Sequence, residues 1–525
     1  MLITELPAEL EDAERLINRR KAAEKRKDLW RSTYTDAYRY AMPARESFSW
    51  QVPGQNRNRQ LYDSTLQEAT YTAANTTVAL LFPSWTRWAN LSPGSQIPKE
   101  HPDFETITEG LQKATETFFE FLNHSNFSTV INEVALDLMI GTAGLTFEEG
   151  DNSKPFKFTS IPLSAIEIEE GPDGAVETDF MLRKICARNL IRTYPGMELF
   201  DLSAELNEKI KTKPDEEIEI VQGEIYCPEN KHYYGVAIDV AGKSIIWRYD
   251  YGLSCPSIIA RATKSAGETY GRGRVLLALS DARTLDKMQE FILRQAAIQL
   301  APPMTGVSDG VLNPYTAVLA PNTILPVASN DNGNPSLRVL EVGGGNFNIS
   351  QELVNSLRER VRRTMIGPEP SEGAVKSASE IHVTDRNRLW AMNGEMSRIQ
   401  AELLAKIVAR GVFILQRKGL IPRFRIDGRE VIVQYNSPFT KSQSSEDVLA
   451  LENTLQIASL AGAEIMNAGL KTEDMPAYIA RKNGVAEALI RSASERKALM
   501  DKIQQVAQSQ LQQPQGQPPQ QGAPA

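Results

Sequence analysis

Histidine and cysteine are scarce in this chain, with four His and three Cys in 525 residues. Cys186, Cys227 and Cys255 are too far apart for a CxxC metal knuckle, and an odd count fits poorly with a disulfide framework. His101, His124, His232 and His382 fall in no HExxH or HxH arrangement, so nothing supports a metal centre. A long apolar run is also missing: no stretch approaches the roughly 18 to 20 residues that a membrane span needs. The amino-terminal MLITELPAELEDAER is acidic where a secretory signal starts basic and then turns apolar, so the chain is expected to stay in the cytoplasm where it is made. Positive charge is not in excess, since 58 Lys and Arg face 66 Asp and Glu for a net charge of −8. That balance argues against a protein that grips DNA over a broad basic surface, and leaves weak or repulsive contact open.

Catalytic signatures are lacking as well. No GxxxxGK[ST] loop occurs, and Gly343-Gly-Gly345 is followed by Asn-Phe-Asn without the lysine of a phosphate cradle. The GxG at 271 to 273 lacks the third glycine of the dinucleotide fingerprint and follows no parallel-sheet unit. There is no GxSxG elbow, and Ser254-Cys255-Pro256 has no sequence neighbour to activate it. The pairs Glu148-Glu149 and Glu169-Glu170 read as solvated charge at strand ends or turns. No enzyme and no cofactor are expected.

What the chain does have is length and helical periodicity. At 58.3 kDa it can bury several cores, and about 150 residues per domain suggests three or four modules. The strongest feature is Gly267-Glu-Thr-Tyr-Gly-Arg-Gly-Arg274 running into an amphipathic helix. Gly271 and Gly273 supply backbone freedom. Leu276, Leu279, Ala282, Leu285, Met288 and Ile292 then recur at helical spacing, with Asp281, Arg283, Asp286, Lys287, Glu290 and Arg294 on the other faces. The helix is predicted to begin near Val275 and to stop at Pro302-Pro303. The pieces read as turn, rod and stop, a scaffold joint more than a catalytic loop.

Upstream, residues 9 to 41 read as a helix whose basic run, Arg19 to Lys21 and Lys25 to Lys27, is taken as a solvated face in preference to a nucleic-acid or partner contact. A helix is predicted from Tyr62 to Phe82, then a short segment in which Trp85 and Trp88 are both expected to pack. Two helical patterns fill 105 to 141, where Gly141 and Gly144 break the pattern. From Phe156 to Tyr251 the texture is β-rich, with runs at 156–161, 165–169, 217–221, 234–240 and 244–249, and 208 to 217 reads as an exposed loop. The class is α+β and not a doubly wound sheet.

Downstream, 304 to 348 is rich in Gly, Pro and Asn, with short strands such as Ala317 to Leu319, Thr323 to Val327 and Leu337 to Val342. A second helix, Ile349 to Ile366, carries a stripe of Leu353, Leu357, Val361 and Met365 with Arg358, Arg360, Arg362 and Arg363 around it. After a ten-residue loop from Gly367 to Lys376, Ser377 and Glu380 form a capping-box signature for a helix reaching about Gly419. Some 40 helical residues span roughly 60 Å, and Gly394 and Gly411 are the expected points of bending. A strand-like stretch from Arg423 to Tyr435 turns at Asp427-Gly428. Helical patterns follow at 445–467 and 485–508, and the Gln- and Pro-rich end from about Gln505 is expected to be disordered.

The run GETYGRGRVLLALSDARTLDKMQE resembles the segment leading into the stem of head-to-tail connectors, or portal proteins, of short-tailed bacteriophages of the autographivirus group. LLFPSWTRWANLSPG at 80 to 94, DLMIGTAGLTFEE at 137 to 149 and SASEI at 377 to 381 agree with that family in the same order. The resemblance covers roughly residues 15 to 500. It implies a mostly helical α+β portal fold: a wing at 1–274, stem helices at 275–303 and 349–366, a β-rich clip at 304–348 and a tunnel loop at 367–376. It further implies a spine helix at 377–419, wing return strands at 420–444, a helical crown at 445–504 and a tail at 505–525. Twelve copies would form a ring at one capsid vertex and thread double-stranded DNA without sequence specificity. The expected partners are the terminase large subunit, tail adaptor and tail proteins, major capsid and scaffolding proteins, and internal virion core proteins, with no membrane contact. The particle would assemble in the host cytoplasm and carry the protein at its portal vertex.

Residue by residue, the resemblance puts Gly367, Pro368, Glu369, Glu372, Gly373 and Lys376 on the DNA-facing loop. Tyr270, Gly271, Arg272 and Gly273 form the stem-entry turn. Asp281, Asp286, Glu290 and Arg294 are expected in stem and inter-subunit packing, with Arg358, Arg360, Arg362 and Arg363 pairing with such carboxylates across subunits; a DNA-facing ring of arginines is the other reading. The alternative of a different class is an ATP-independent helical adaptor or scaffolding protein. A motor nuclease would need an ATP loop and metal-binding carboxylates, and the sequence offers neither.

Overall fold

The computed structural model describes residues 10–45, 61–94, 102–197, 202–300, 347–367, 390–424 and 430–438, the backbone of 304–306 and 337–339, the helix at 475–482, and positions 7, 48, 96–97, 440, 451, 454, 491, 495, 499 and 502. It divides into two units, Met1–Val78 with Pro93–Val431, and Ala79–Ser92 with Ile432–Ala525. The class is α+β, as expected.

In the first unit, helix α1 (Ala13–Ala41) opens on Asp12, whose side chain accepts from the amides of Glu14 and Arg15 and so satisfies donors the first turn leaves free. Its apolar face, with Leu16 and Ile17 buried, lies on an antiparallel five-stranded sheet. That sheet runs in the order β4 (Glu167–Glu170), β5 (Val176–Cys186), β6 (Glu217–Cys227), β7 (His232–Asp239), β8 (Ser244–Gly252). Side chains alternate along β6: Val221 and Ile225 face α1, whereas Ile218 and Ile220 join Leu190, Tyr194, Met197 and Leu206 on the opposite face. Leu206 belongs to helix α6 (Ala204–Thr212), capped by Ser203. Residues 208 to 212 are therefore helical, not loop, because that cap and the buried Leu206 give the segment a face to pack. Short helix α5 (Leu190–Thr193) precedes it.

A second, three-stranded antiparallel sheet has the order β3 (Phe156–Ile161), β2 (Thr142–Glu149), β9 (Ser257–Arg261). Helices α3 (Phe104–Asn123) and α4 (Phe127–Ile140) cover it, and Phe158 packs against the tilted Phe147 ring at 4.2 Å and edge-on against Phe127 at 5.1 Å between centroids. Strands β2, β5 and β9 are among those periodicity missed. β2 and β9 are buried along most of their length and so show no period-two alternation.

Helix α7 (Arg274–Leu300) and helix α8 (Phe347–Ile366) flank the antiparallel pair β10 (Met304–Gly306) and β11 (Leu337–Val339). The expected strands at 317–319 and 323–327 lie outside the described residues. The later helix is described from Trp390 and runs as α9 (Asn393–Ile399), a π-helical turn (Gln400–Leu404) and α10 (Ala405–Arg417), ending at Gly419. Helix α2 (Thr65–Leu81) begins in the first unit and ends in the second. Strand β1 (Ala89–Pro93) pairs with β12 (Val431–Tyr435), and helix α11 (Met475–Lys482) belongs to the second unit. Trp88 is buried edge-on against Phe82, whereas Trp85 is 71% exposed, so only one of the two tryptophans packs as expected. Among the described residues no helix is long and apolar enough to cross a membrane.

Candidate functional site

The glycine turn is a backbone crossing. Gly273 donates to the Ile140 carbonyl at 2.9 Å, Ala262 to the Gly141 carbonyl at 2.8 Å, and Gly271 to Thr142 Oγ1 at 2.8 Å. A Cβ on Gly273 would stand 2.1 Å from the Met139 carbonyl oxygen, and one on Gly271 2.3 Å from that of Gly141. These glycines are therefore required by close approach, which joins the two stretches 137–149 and 267–290 that the sequence singled out separately. Tyr270 is fully buried between Ile166 and Ile168, with its hydroxyl 3.3 Å from the backbone of each, and Tyr34 OH donates to the Gly271 carbonyl at 2.9 Å. Arg272 pairs with Glu268 and stacks on Trp30 at 4.8 Å.

From this joint α7 leaves as a rod. Val275, Ala278, Leu279, Ala282 and Leu285 are buried, and Leu285 meets Val354 and Leu357 of α8 with Met288 and Ile292 alongside. The stripe on α8 is Val354, Leu357, Val361 and Met365, while Leu353 is 49% exposed. The strict four-residue spacing read from the sequence is corrected by helix geometry. At about 100° per residue, Leu353 sits roughly 120° away from Met365, whereas Val354 sits within about 20°.

The arginines of α8 all find carboxylates within the chain. Arg358 reaches Asp63 at 2.8 Å, Arg360 reaches Asp281 at 3.0 Å, Arg362 reaches Glu68 at 3.5 Å and Arg363 reaches Glu359 at 3.0 Å. Burial alone would raise Asp63, but hydrogen bonds from Thr65 and the Arg358 guanidinium outweigh it and hold the carboxyl below its usual range. Asp286, expected on a polar outer face, is buried and accepts from the backbone amides of Tyr62 and Asp63 at 2.7 and 3.1 Å. Glu290 is held by Lys287 at 2.7 Å and by Arg294. Gly367 closes α8 in the left-handed region, φ +94°. Pro368, Glu369, Glu372, Gly373 and Lys376, with the cap pair Ser377 and Glu380, lie outside the described residues.

Three buried ion-pair clusters hold the frame, and sequence reasoning missed them. Arg20 and Lys27 of α1 converge on Glu167 of β4, at 2.7 and 3.2 Å, and Arg19 binds Glu169 at 2.6 Å. The basic run is thus not a wholly solvated face. The signal was available: Arg20 and Lys27 fall in the same three-and-four series as Leu16 and Ala23. Glu169-Glu170 is likewise engaged, since Glu170 pairs with Lys264 at 2.5 Å and with Arg261. Arg261, 1% exposed at its side chain, also binds Glu402 at 2.8 Å. Glu402 lies in the π turn, an irregularity of the described part of this helix that the sequence did not signal. Gly411 instead admits the Phe118 ring, 2.3 Å from where its Cβ would be. Third, Arg274 donates to Glu395 at 2.7 Å and to the Met365 carbonyl at 3.0 Å, tying the start of α7 and the end of α8 to α9.

The contacts of the joint and the ion pairs tie α1, α7, α8 and α9 and the strands to one another. Among the described residues no group of three or more His, Cys, Asp or Glu could hold a metal ion. No curated protein sequence matches the chain. A solved chain in the virion of a native gene transfer agent (GTA) particle is 10% identical, with 79% of this chain and 92% of that chain covered and a TM-score of 0.36. Another, in the neck of an empty GTA particle, is 10% identical with 86% and 94% covered and a TM-score of 0.35. Scores this low give neither likeness weight. The family described as bacteriophage head to tail connecting protein, a structural family and not an enzyme family, matches residues 13–490. With nearly the whole chain inside that match, the protein belongs to the bacteriophage head to tail connecting proteins.

Proposed function

We propose that the protein is the portal of a short-tailed phage of the autographivirus type. Twelve copies close into a ring at one capsid vertex, the terminase motor packages double-stranded DNA through it, and the DNA later leaves by the same channel. The ring also serves as the platform for tail adaptor and tail proteins, and it meets capsid, scaffolding and internal core proteins on the head side. In this reading α7 and α8 are the stem, 304–348 the clip, 367–376 the tunnel loop, 377–419 the spine, and 1–274 with 420–444 the wing. Residues 445–504 form the crown and 505–525 the tail.

The observation that carries the ring is the exposed apolar surface of α7. Leu277, Phe291 and Ile298 fall on one side of the helix and Leu293 and Leu300 on the other, about 180° apart at 100° per residue, with exposures from 38% to 87%. Two different apolar faces suit heterologous packing, in which each copy offers one face to each neighbour. Arg294, Arg360, Arg362 and Arg363 keep 46% to 67% of their side chains exposed and can add contacts across that interface to their partners within the chain. Replacing Leu277 and Phe291 together by Asp tests this. Folded single copies that no longer form rings are expected, and rings formed as before would count against it.

A further inference from the structure

Asp179 on β5 and Glu224 on β6 stand opposite each other at the end of the β5–β6 ladder, 3% and 0% exposed. Asp179 also reaches the other sheet, its Oδ2 accepting from Ser257 Oγ on β9 at 2.8 Å. Glu224 Oε1 accepts from Gln222 Nε2 at 2.6 Å, and Gln222 is itself held by Tyr194 OH at 3.2 Å. Glu224 Oε2 has no hydrogen-bond partner. A cavity of about 120 Å³ adjoins Asp179, with Cys255, Tyr233 and Lys406 in its lining.

Two ionised carboxylates placed this way would repel across the strands with one oxygen unsolvated, which is costly. The positive groups facing them are Arg183 of β5 and Lys406 of α10, and among the described residues neither makes an ion pair with them. Glu148 of β2 faces Glu224, and Glu177 lines the cavity; both add charge of the same sign. Burial raises the neighbouring Tyr233, Tyr251 and Cys255 and keeps them neutral; Arg410 of α10 acts on Tyr251. We propose that Asp179 and Glu224 are a proton-operated lock between the two sheets. With the pair protonated the ladder end and the seam to β9 are closed; once both protons leave to water, repulsion loosens that seam beside the cavity.

Burial pushes Asp179 up to about 7, and burial followed by the Asp179 charge pushes Glu224 up to about 8. Both groups bind their protons more tightly folded than unfolded. Their stabilisation is therefore full below the ordinary carboxyl range near 4 and fades as pH rises to about 8.

Hydrogen exchange of the β5 and β6 amides in the full chain, from about pH 6 to about pH 9, compares the unaltered protein with Glu224→Gln. The ratio of their opening constants is expected to climb about tenfold per pH unit up to about pH 7 and to level off above about 8, since the variant releases one proton fewer on opening. A ratio independent of pH overturns the proposal. Should the variant not fold, infrared spectra of the unaltered protein decide: a protonated-carboxyl stretch lost between about pH 7 and pH 8 supports the lock, and the absence of any such titration refutes it.

Discussion

A methyl group decides the joint. Gly273→Ala places its Cβ 2.1 Å from the Met139 carbonyl oxygen, a backbone atom that cannot swing aside. We expect a loss of about 1–3 kcal/mol, as for overpacked sites, measured by denaturant unfolding. Gly394→Ala is the control, because nothing lies within 4 Å of that position in α9; a gain of about 0.5–1 kcal/mol is expected there. The Arg358–Asp63 pair gives a prediction in pH. Asp63 is held below its unfolded value, so its contribution is present above about pH 4 and lost as pH falls through the folded value. Thermal melts from about pH 5 to about pH 2 should fall less steeply in Asp63→Asn than in the unaltered protein. At neutral pH that variant should lose about 1–2 kcal/mol, between exposed and buried pairs.

Among the elements, α8 lets its own packing be tested apart from its proposed use in assembly. Leu357→Ala removes a side chain 6% exposed and is expected to cost about 2–5 kcal/mol. Leu353→Ala, at 49% exposure, should leave single-copy stability within about 0.5 kcal/mol while weakening the ring. On the π turn, Glu402→Ala strips the buried Arg261 of one partner and should cost on the order of 3 kcal/mol, whereas Arg363→Ala on α8, exposed, should cost less than about 1 kcal/mol. Calorimetry on the four variants checks the ordering. Helices α1, α2, α3, α4, α7 and α8 were legible because each pairs a polar face with an apolar one, and β3 matched its predicted bounds. Strands β2 and β9 were not, since they are buried on both faces. The π turn was invisible because no residue type encodes it; it carries Glu402, the partner of the buried Arg261. The glycines were legible as special, but not their purpose, which is a crossing with a stretch far back in sequence, Gly271 meeting Thr142, 129 positions away.

At the scale of the whole molecule, the family match and the two-sided apolar rod point the same way. The sequence marked α7 as an amphipathic rod, but the burial that leaves Leu277, Phe291 and Leu300 uncovered required the fold. Within the chain the α8 arginines are already paired, so substituting Arg360 and Arg363 together by Gln distinguishes their outer roles. Impaired ring formation supports subunit contacts, and normal rings that package DNA poorly support a surface facing the channel. The most direct test is the assembled mass and end-on view of the purified full chain, by light scattering and negative-stain microscopy. The account predicts a closed ring with a central hole of about 700 kDa, twelve copies of a 58.3 kDa chain. A monomer or dimer that persists across salt and protein concentration would contradict it.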